Sequence, residues 1–217
     1  MLAFRLGSAA AALRTVLCLG AHCDDIEIGC GGTVLRLIED NPDLAVHWVV
    51  FSGTTVRREE ARRAAERVTA RARERQITIH EFRDGFFPYI GADIKRSFEQ
   101  LKQDVQPDLI FTHCRGDLHQ DHRLINELTW NTFRNHLILE YEIPKYDGDL
   151  GTPGMFAPLP LALCDRKIDI LLDCYESQRT KHWFTRDLFM AILRLRGMEA
   201  NAASGLAEAF YCRKGIL

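Results

Sequence analysis

The stretch V-L-C-L-G-A-H-C-D-D-I-E, residues 16–27, carries most of the information about the fold. It begins with a short apolar run, Val16–Leu19, that ends at Gly20, a pattern typical of a buried strand in a parallel sheet. One histidine and two aspartates follow at once. Ligands of open α/β sheets bind at the carboxyl ends of the strands, so these side chains stand where a functional site is expected.

Apolar runs alternate with segments of helical periodicity along the remaining chain. They predict further strands at residues 46–51, 77–82, 108–112 and 168–172. They also predict helices at residues 32–40, 54–75, 94–104, 124–136 and 183–196. Residues 144–160, rich in Pro and Gly, predict a long loop. This order indicates one α/β domain over residues 1–217, with a mostly parallel sheet flanked by helices and the active site at the carboxyl ends of the strands.

The composition is that of an ordinary globular protein, with 47% hydrophobic and 27% charged residues. A net charge of -2 provides no general attraction for nucleic acid or for a membrane surface. The predicted helix at residues 54–75 carries eight arginines, but four glutamates are interleaved with them, as in a solvated helix with ion pairs. No apolar run reaches the roughly 18 residues of a transmembrane helix. We therefore expect neither a nucleic-acid partner nor a transmembrane segment.

The seven cysteines indicate a reducing compartment. Their number is odd, and no pair has the C-x-x-C spacing of redox and zinc motifs. The stretch Met1–Ala12 lacks the apolar core of a secretory signal peptide. We therefore predict free thiols and a cytoplasmic location.

A second polar cluster, H-C-R-G-D-L-H-Q-D-H-R at residues 113–123, follows the predicted strand at residues 108–112. Its His119 and His122 are three residues apart and face the same side if a helix begins there. Both polar clusters therefore end strands of the same parallel sheet. We expect them to meet at its carboxyl edge.

Together the two clusters offer ligands for a catalytic metal ion. His22 and Asp25 can reach one ion, and with a histidine of the second cluster they leave coordination positions open for water and substrate. Asp24 stays free and can accept a proton as a general base. Two histidines and one carboxylate also suit a non-haem Fe(II) oxygenase, or a metal-binding protein without activity. A free Asp24 favours hydrolysis over both alternatives.

Each motif taken alone also has a less specific interpretation. Asp24 and Asp25 precede a predicted helix, as helix-capping residues often do. The glycines in Gly29–Gly32 suggest a dinucleotide-binding turn, but the two aspartates between strand and glycines would repel a pyrophosphate. Small residues at these positions more simply allow the helix to approach the sheet.

The motifs A-H-x-D-D-x-E, residues 21–27, and H-x-D-H-R, residues 119–123, resemble those of the PIG-L/LmbE-like family of zinc-dependent N-deacetylases. Further similarity lies at Arg57, at Asp84 and at residues 207–210, so the resemblance extends over nearly the whole chain. It implies a Rossmann-like fold and the removal of an acetyl group from an N-acetylglucosamine-type amide.

The resemblance also implies the roles of individual residues. His22, Asp25 and His122 would bind Zn²⁺, or another divalent ion such as Fe²⁺. Asp24 would be the general base. The substrate would be a small molecule, an N-acylated amino sugar or a related glycoconjugate.

Further roles are implied around these ligands. His119 would stabilise the oxyanion, and Asp121 would orient the His119 ring. Asp121, or another carboxylate such as Asp117, could hold the far ring nitrogen and favour the protonated imidazole. Arg57 and Asp84 match positions that contact the sugar. Cys23 departs from the family pattern, which usually has proline there. This thiol could be a bystander, an oxidation-sensitive site or an occasional ligand. We favour the bystander role, since the ligand set is complete without it.

Overall fold

Strands from both ends of the chain join one seven-stranded sheet in this computed structural model, which describes residues 13–216. The strands are β1 Thr15–Gly20, β2 Ala45–Ser52, β3 Glu74–Phe82, β4 Leu109–His113, β5 Leu137–Tyr141, β6 Met155–Pro158 and β7 Ala207–Cys212. Their spatial order is β3-β2-β1-β4-β5-β7-β6. The first five strands run parallel, whereas β7 is antiparallel to β5 and β6. The predicted α/β class is confirmed.

Helices cover both faces of this sheet. They are α1 Asp25–Asp40, α2 Thr55–Val68, α3 Gly91–Asp104, α4 Gln120–Thr132, α5 Leu161–Cys174 and α6 Arg186–Glu199. Helices α1, α2, α5 and α6 pack against one face, over the larger hydrophobic cluster. Helices α3 and α4 pack with a short 3-10 helix, Phe87–Tyr89, against the other. Within residues 13–216, no helix combines the length and the apolarity that crossing a membrane requires.

The strand order changes direction at β1. The chain passes from β1 to β2 and β3 on one side, and then crosses to β4 on the other side of β1. The loops that leave β1 and β4 therefore diverge at the same edge and open a crevice between them. Such a switch point is the usual ligand site of an open α/β sheet.

The strand predicted at residues 168–172 is wrong, because these residues lie inside helix α5. A short apolar run fits a strand or a buried helix equally well. Here Cys164, Ile168 and Leu171 recur at helical spacing, and all three are buried against the layer that α1 and α2 form. The packing of these residues against α1 and α2 therefore favours a helix over a strand at residues 168–172.

Several predicted boundaries also differ. Helix α1 begins at Asp25 rather than at residue 32, although three glycines lower its helix propensity. Helix α2 ends at Val68 rather than at residue 75, because Glu74 already pairs with Ala45 as the first residue of β3. Helix α6 begins at Arg186.

Three strands were missed. Strand β5 follows α4 where the helix was expected to continue to residue 136, and β6 lies inside the predicted long loop. Strand β7, close to the end of the chain, pairs with both. The antiparallel pairing of β6 and β7 depends on partners distant in sequence, which local patterns do not reveal. The expectation about Met1–Ala12 concerns residues outside the described part of the chain.

Candidate metal centre and active site

The two polar motifs meet at the crevice beside β1. The first motif occupies the short loop between β1 and α1, and Asp25 is the first residue of that helix. The second motif spans the loop after β4 and the start of α4, with His119 as its N-cap. The structure therefore brings His22, Asp25 and His122 together from opposite sides of the switch point.

Three ligand atoms of these residues form a compact triangle. His22 Nδ1 lies 3.0 Å from His122 Nε2 and 3.4 Å from Asp25 Oδ2. His122 Nε2 lies 3.5 Å from Asp25 Oδ2. All three residues are buried.

The outer ring nitrogens of both histidines face carboxylates. His22 Nε2 lies 3.1 Å from Asp84 Oδ1 and 3.2 Å from Asp121 Oδ2. His122 Nδ1 lies 2.9 Å from Asp117 Oδ2. A neutral imidazole facing a carboxylate carries its proton on the nitrogen that faces it. The lone pairs of His22 Nδ1 and His122 Nε2 consequently point toward each other and toward Asp25.

This convergence of lone pairs fits a divalent cation. Zinc bonds of about 2.0–2.2 Å at tetrahedral angles separate neighbouring ligand atoms by roughly 3.3 Å, close to the spacings of the triangle. Without a cation, the three electron-rich atoms would repel one another. In the metal-free protein a proton supplies this positive charge. Burial opposes the charged ring, but the carboxylates of Asp121, Asp25 and Asp84 raise the pKa of His22 well above its usual value, and a bound divalent cation would take the place of that proton.

Other combinations of side chains also come close enough to hold an ion. Within residues 13–216 these groups are His22 with His119 and His122, Asp25 with His113 and His122, and His22 with Asp84 and Asp121. They overlap at His22 and His122. We favour the triangle with Asp25 because the hydrogen bonds of its two histidines leave both inner lone pairs free.

Asp24 directly precedes Asp25 in the chain, and its carboxylate pairs with Arg57. Its φ of 93° falls in the left-handed region, which is rare for residues other than glycine and which clusters at functional sites. Arg57 Nη2 lies 3.0 Å from Asp24 Oδ1 and also donates to the carbonyl of Cys23. Burial raises the pKa of the Asp24 carboxyl to about 7, against the opposing effect of Arg57. Such a carboxyl group exchanges protons near neutral pH.

Arg57 and Asp84, the expected sugar contacts, both reach the crevice. The guanidinium of Arg57 is engaged with Asp24, a partner that the sequence did not reveal. Asp84 touches the His22 ring with one oxygen, but 62% of its side chain is exposed. Asp84 is therefore available to a molecule that enters the crevice.

The surroundings of His119 differ from the expectation. Its Nδ1 accepts a hydrogen bond from the Asp121 N–H at 3.3 Å, which leaves the proton of a neutral ring on Nε2. Burial and the neighbouring His22 lower the pKa of His119 below its usual value. The expected cationic imidazole is thus replaced by a neutral one whose Nε2–H is the donor.

Asp121 also has different partners from those expected. Its carboxylate accepts hydrogen bonds from the N–H groups of Gly85 at 2.7 Å and Phe87 at 3.2 Å, and it contacts His22 Nε2. No hydrogen bond joins this carboxylate to the His119 ring within residues 13–216. Asp121 therefore orients the proposed ligand His22 and fixes the loop after β3.

A buried carboxylate network lies behind His122, and the sequence suggested Asp117 only as a partner of His119. Asp117 Oδ2 lies 2.9 Å from both His122 Nδ1 and Lys145 Nζ, and its other oxygen accepts the His119 N–H at 2.8 Å. Lys145 also pairs with Asp149, which accepts the Leu118 N–H at 2.7 Å. The carboxylate at Asp117 lies inside the quoted motif, whereas no sequence signal connected Lys145 with it.

Cys23 packs away from the triangle. Its Sγ donates to the carbonyl of Ser52 at 3.2 Å, and burial raises the pKa of the thiol to about 12. A thiol that stays protonated is a poor metal ligand. This environment agrees with the bystander role predicted for Cys23.

The fold and this cluster define an α/β protein with a candidate metal centre at its topological switch point. Residues 17–133 match the model of the PIG-L family, described as GlcNAc-PI de-N-acetylase. The chain belongs to this family of deacetylases. The matched region contains every residue of the candidate site named from the sequence.

A curated relative and two solved structures are also similar. The uncharacterized deacetylase YaiS of Escherichia coli (strain K12) is 30% identical over 146 residues, which are 61% of this chain and 75% of YaiS. N,N'-diacetylchitobiose deacetylase from Pyrococcus horikoshii superposes with a TM-score of 0.66 at 18% identity, covering 92% of this chain and 84% of that one.

The second structure is GalB, the 4-carboxy-2-hydroxymuconate hydratase of Pseudomonas putida KT2440. It superposes with a TM-score of 0.74 at 18% identity, covering 94% of this chain and 98% of GalB. Likeness at this level concerns the fold alone. Because a hydratase and a deacetylase share this fold, the reaction must be argued from the side chains.

Proposed function

We propose that this chain is a zinc-dependent N-deacetylase that removes the acetyl group from an N-acetylated amino sugar or a related small molecule. The observation that carries the proposal is the triangle of His22 Nδ1, Asp25 Oδ2 and His122 Nε2, beside the carboxyl group of Asp24, which pairs with Arg57. These three residues would hold the metal ion. A zinc ion bound there would act as a Lewis acid and lower the pKa of water.

Asp24 is the general base of the proposed reaction. Burial raises its pKa to about 7 in the metal-free protein, and although a bound cation would lower that value, the group can still accept a proton and later release it. The contact with Arg57 holds the carboxylate in one orientation and favours its ionised form. Asp24 then takes a proton from the attacking water and can deliver it to the departing amine.

His119 donates a hydrogen bond to the carbonyl oxygen of the amide. Negative charge develops on that oxygen during attack, and a fixed donor there lowers the barrier. The Asp121 N–H occupies Nδ1 of His119, so a neutral ring carries its proton on Nε2 and can donate without a positive charge. Asp84, exposed at the mouth, would accept a hydrogen bond from a sugar hydroxyl.

The main alternatives are an Fe(II) oxygenase and a metal-binding protein without activity. Neither needs a strained, buried carboxyl group next to the ligands with a pKa near neutrality. A hydrolase does need one. The membership of a deacetylase family supports the same choice. All seven cysteines are free, which supports a reducing compartment such as the cytoplasm.

The test combines metal loading with a substrate panel. The protein is stripped with a chelator, reloaded with zinc and incubated with N-acetylated amino sugars, and the released amine is measured. We expect amine release only from the loaded protein. Asp24→Asn should keep the metal and lose activity by a factor on the order of 10² to 10⁴, whereas Asp25→Asn should lose the metal itself.

Asp43→Asn is the matched control, because Asp43 is an exposed aspartate in the loop between α1 and β2. It should retain both metal and activity. Zinc-loaded protein that releases no amine from any member of the panel would contradict the proposed reaction. Equal behaviour of Asp24→Asn and Asp25→Asn would contradict the separation of their roles.

A further inference from the structure

His113, the last residue of β4, is fully buried beside the metal ligands but has no part in the roles discussed so far. Its Nε2 lies 3.2 Å from Asp25 Oδ2, and its ring stacks on that of His122 with centroids 3.9 Å apart and planes inclined by 16°. The side chain thus touches residues from both polar motifs.

The nitrogen of His113 also holds the backbone just before His22. The Ala21 N–H donates to His113 Nε2 at 2.9 Å, while the Ala21 carbonyl accepts the Ser52 N–H on the β2 side at 2.9 Å. Backbone pairing between β1 and β4 extends as far as Cys18 with Phe111. Beyond that point, the buried Ala21 N–H donates to the imidazole of His113 instead of to a carbonyl of a neighbouring strand.

The geometry argues against His113 as a ligand of the same ion. The lone pair of an imidazole lies in the plane of its ring, and the planes of His113 and His122 are nearly parallel and stacked. Lone pairs in two stacked planes do not converge on one ion. The lone pair of His113 Nε2 is moreover directed at the Ala21 N–H.

We propose that His113 is a positioning residue that sets the distance between the two histidine ligands, by holding Ala21 through Nε2 and supporting the His122 ring by stacking. The proposal rests on the metal site of the proposed function, but not on the identity of its substrate. It predicts that the two contacts of His113 contribute separately to metal affinity.

Two variants separate these contacts. His113→Gln keeps an oxygen that can accept the Ala21 N–H and loses the stacked ring. His113→Phe keeps a ring against His122 and loses the acceptor. Zinc affinity is measured by competition with a chromogenic chelator, and the visible spectrum of the Co²⁺-substituted protein reports the ligand set. Thermal unfolding of the metal-free proteins shows whether each variant is folded.

We expect His113→Phe to weaken zinc binding by about 10- to 100-fold, the usual effect of removing a group that orients a metal ligand, and His113→Gln to weaken it by less than about 10-fold. Both should keep the Co²⁺ band position of the parent, because the ligands are unchanged. If His113→Phe does not fold, His113→Asn, whose shorter amide does not reach Ala21, should show the same loss.

His80→Phe is the matched control. His80 stacks between Phe51 and Phe82, and it should be replaceable without a change in zinc affinity. Parent-like zinc binding by folded His113→Phe would overturn the proposal. So would a Co²⁺ spectrum in both His113 variants that matches His122→Ala, because His113 would then be a ligand. A parent protein that binds zinc but deacetylates nothing would contradict the proposed reaction alone.

Discussion

Gly29 of helix α1 lies so close to the ring of Tyr141 that a β-carbon on Gly29 would overlap with it. Tyr141 ends strand β5, and its hydroxyl donates to the carbonyl of Leu19 at 2.7 Å. The absence of a side chain at position 29 therefore allows α1, which begins with the proposed ligand Asp25, to approach the ends of the central strands.

Gly29→Ala should destabilise the protein although alanine favours helices. The gain in helix propensity is about 1 kcal/mol, whereas overpacking against a fixed ring costs typically 1–3 kcal/mol and more where nothing can move. Tyr141 is fully buried and hydrogen-bonded, so it cannot give way. Urea unfolding of the metal-free protein measures the difference.

Gly31→Ala in the same helix is the control. A β-carbon there would make ordinary contacts, the nearest being Lys167 Cγ at 3.7 Å. This variant should be unchanged or more stable by up to about 1 kcal/mol. Equal stability of the two variants would contradict the packing role assigned to Gly29.

The meeting of His22, Asp25 and His122 could be predicted from the sequence because it depends on local patterns. Two buried apolar runs, each followed by polar residues, are enough to place these residues at the carboxyl edge of a parallel sheet. The close approach of α1 to the sheet could likewise be predicted from its glycines, and the structure agrees at Gly29.

The environment of each side chain could not be predicted in this way. Lys145 reaches Asp117 from a loop after β5, and Arg57 reaches Asp24 from α2, so both contacts depend on tertiary packing. Burial and the neighbouring His22 favour the neutral state of His119, and the hydrogen bond of the Asp121 N–H to its Nδ1 fixes the tautomer. The interior of α5 was mistaken for a strand because a short, mostly apolar run fits a strand as well as a buried helix.

Asp117→Asn should weaken zinc binding by about 10- to 100-fold. The carboxylate of Asp117 holds His122 Nδ1 at 2.9 Å and makes the opposite ring nitrogen a better electron donor. An amide keeps the shape but loses the negative charge. Competition with a chromogenic chelator measures the affinity.

Asp173→Asn is a suitable control, since Asp173 pairs with Arg67 at the exposed surface. It should bind zinc as the parent does. The zinc affinity of Lys145→Met should lie between the affinities of Asp117→Asn and Asp173→Asn, because this change removes the cation but leaves the carboxylate of Asp117 in place. An unchanged affinity in Asp117→Asn would show that this network does not tune the site.

His119→Ala should lower kcat by a factor on the order of 10² to 10³, the usual effect of removing one oxyanion donor. KM should change little, because the donor acts mainly on the charge that develops during attack. Since burial and His22 lower the pKa of His119, the residue acts as a neutral donor, and its removal should leave the acid limb of the pH–rate profile in place.

That acid limb belongs to Asp24. Its pKa of about 7 applies to the protein without a metal ion, and a bound cation favours the ionised carboxyl, so the limb should lie below pH 7. His136→Ala, in the residue just before β5, is the control and should leave the profile unchanged. A basic limb that disappears in His119→Ala would instead require a protonated imidazole.

Glu27 gives the metal-free protein a pH-dependent stability. The side chain is buried in α1 and accepts a hydrogen bond from the Tyr175 hydroxyl at 2.7 Å. Burial raises its pKa from 4.5 to about 8, so between these values the folded protein holds a proton that the unfolded chain releases. Stability is therefore lost as the pH rises from about 4.5 to about 8.

Glu27→Gln removes this proton and keeps an acceptor for Tyr175. The free energy of unfolding of the parent should therefore fall relative to that of the variant by about 1.4 kcal/mol for each pH unit in this interval, and level off above it. Denaturant unfolding in the presence of a chelator, repeated across pH, measures the difference. Glu66→Gln, at an exposed position of α2, is the control: its free energy of unfolding should differ from that of the parent by the same amount at every pH. If the difference in free energy of unfolding between the parent and Glu27→Gln also stays constant with pH, Glu27 is ionised in the folded protein throughout this range.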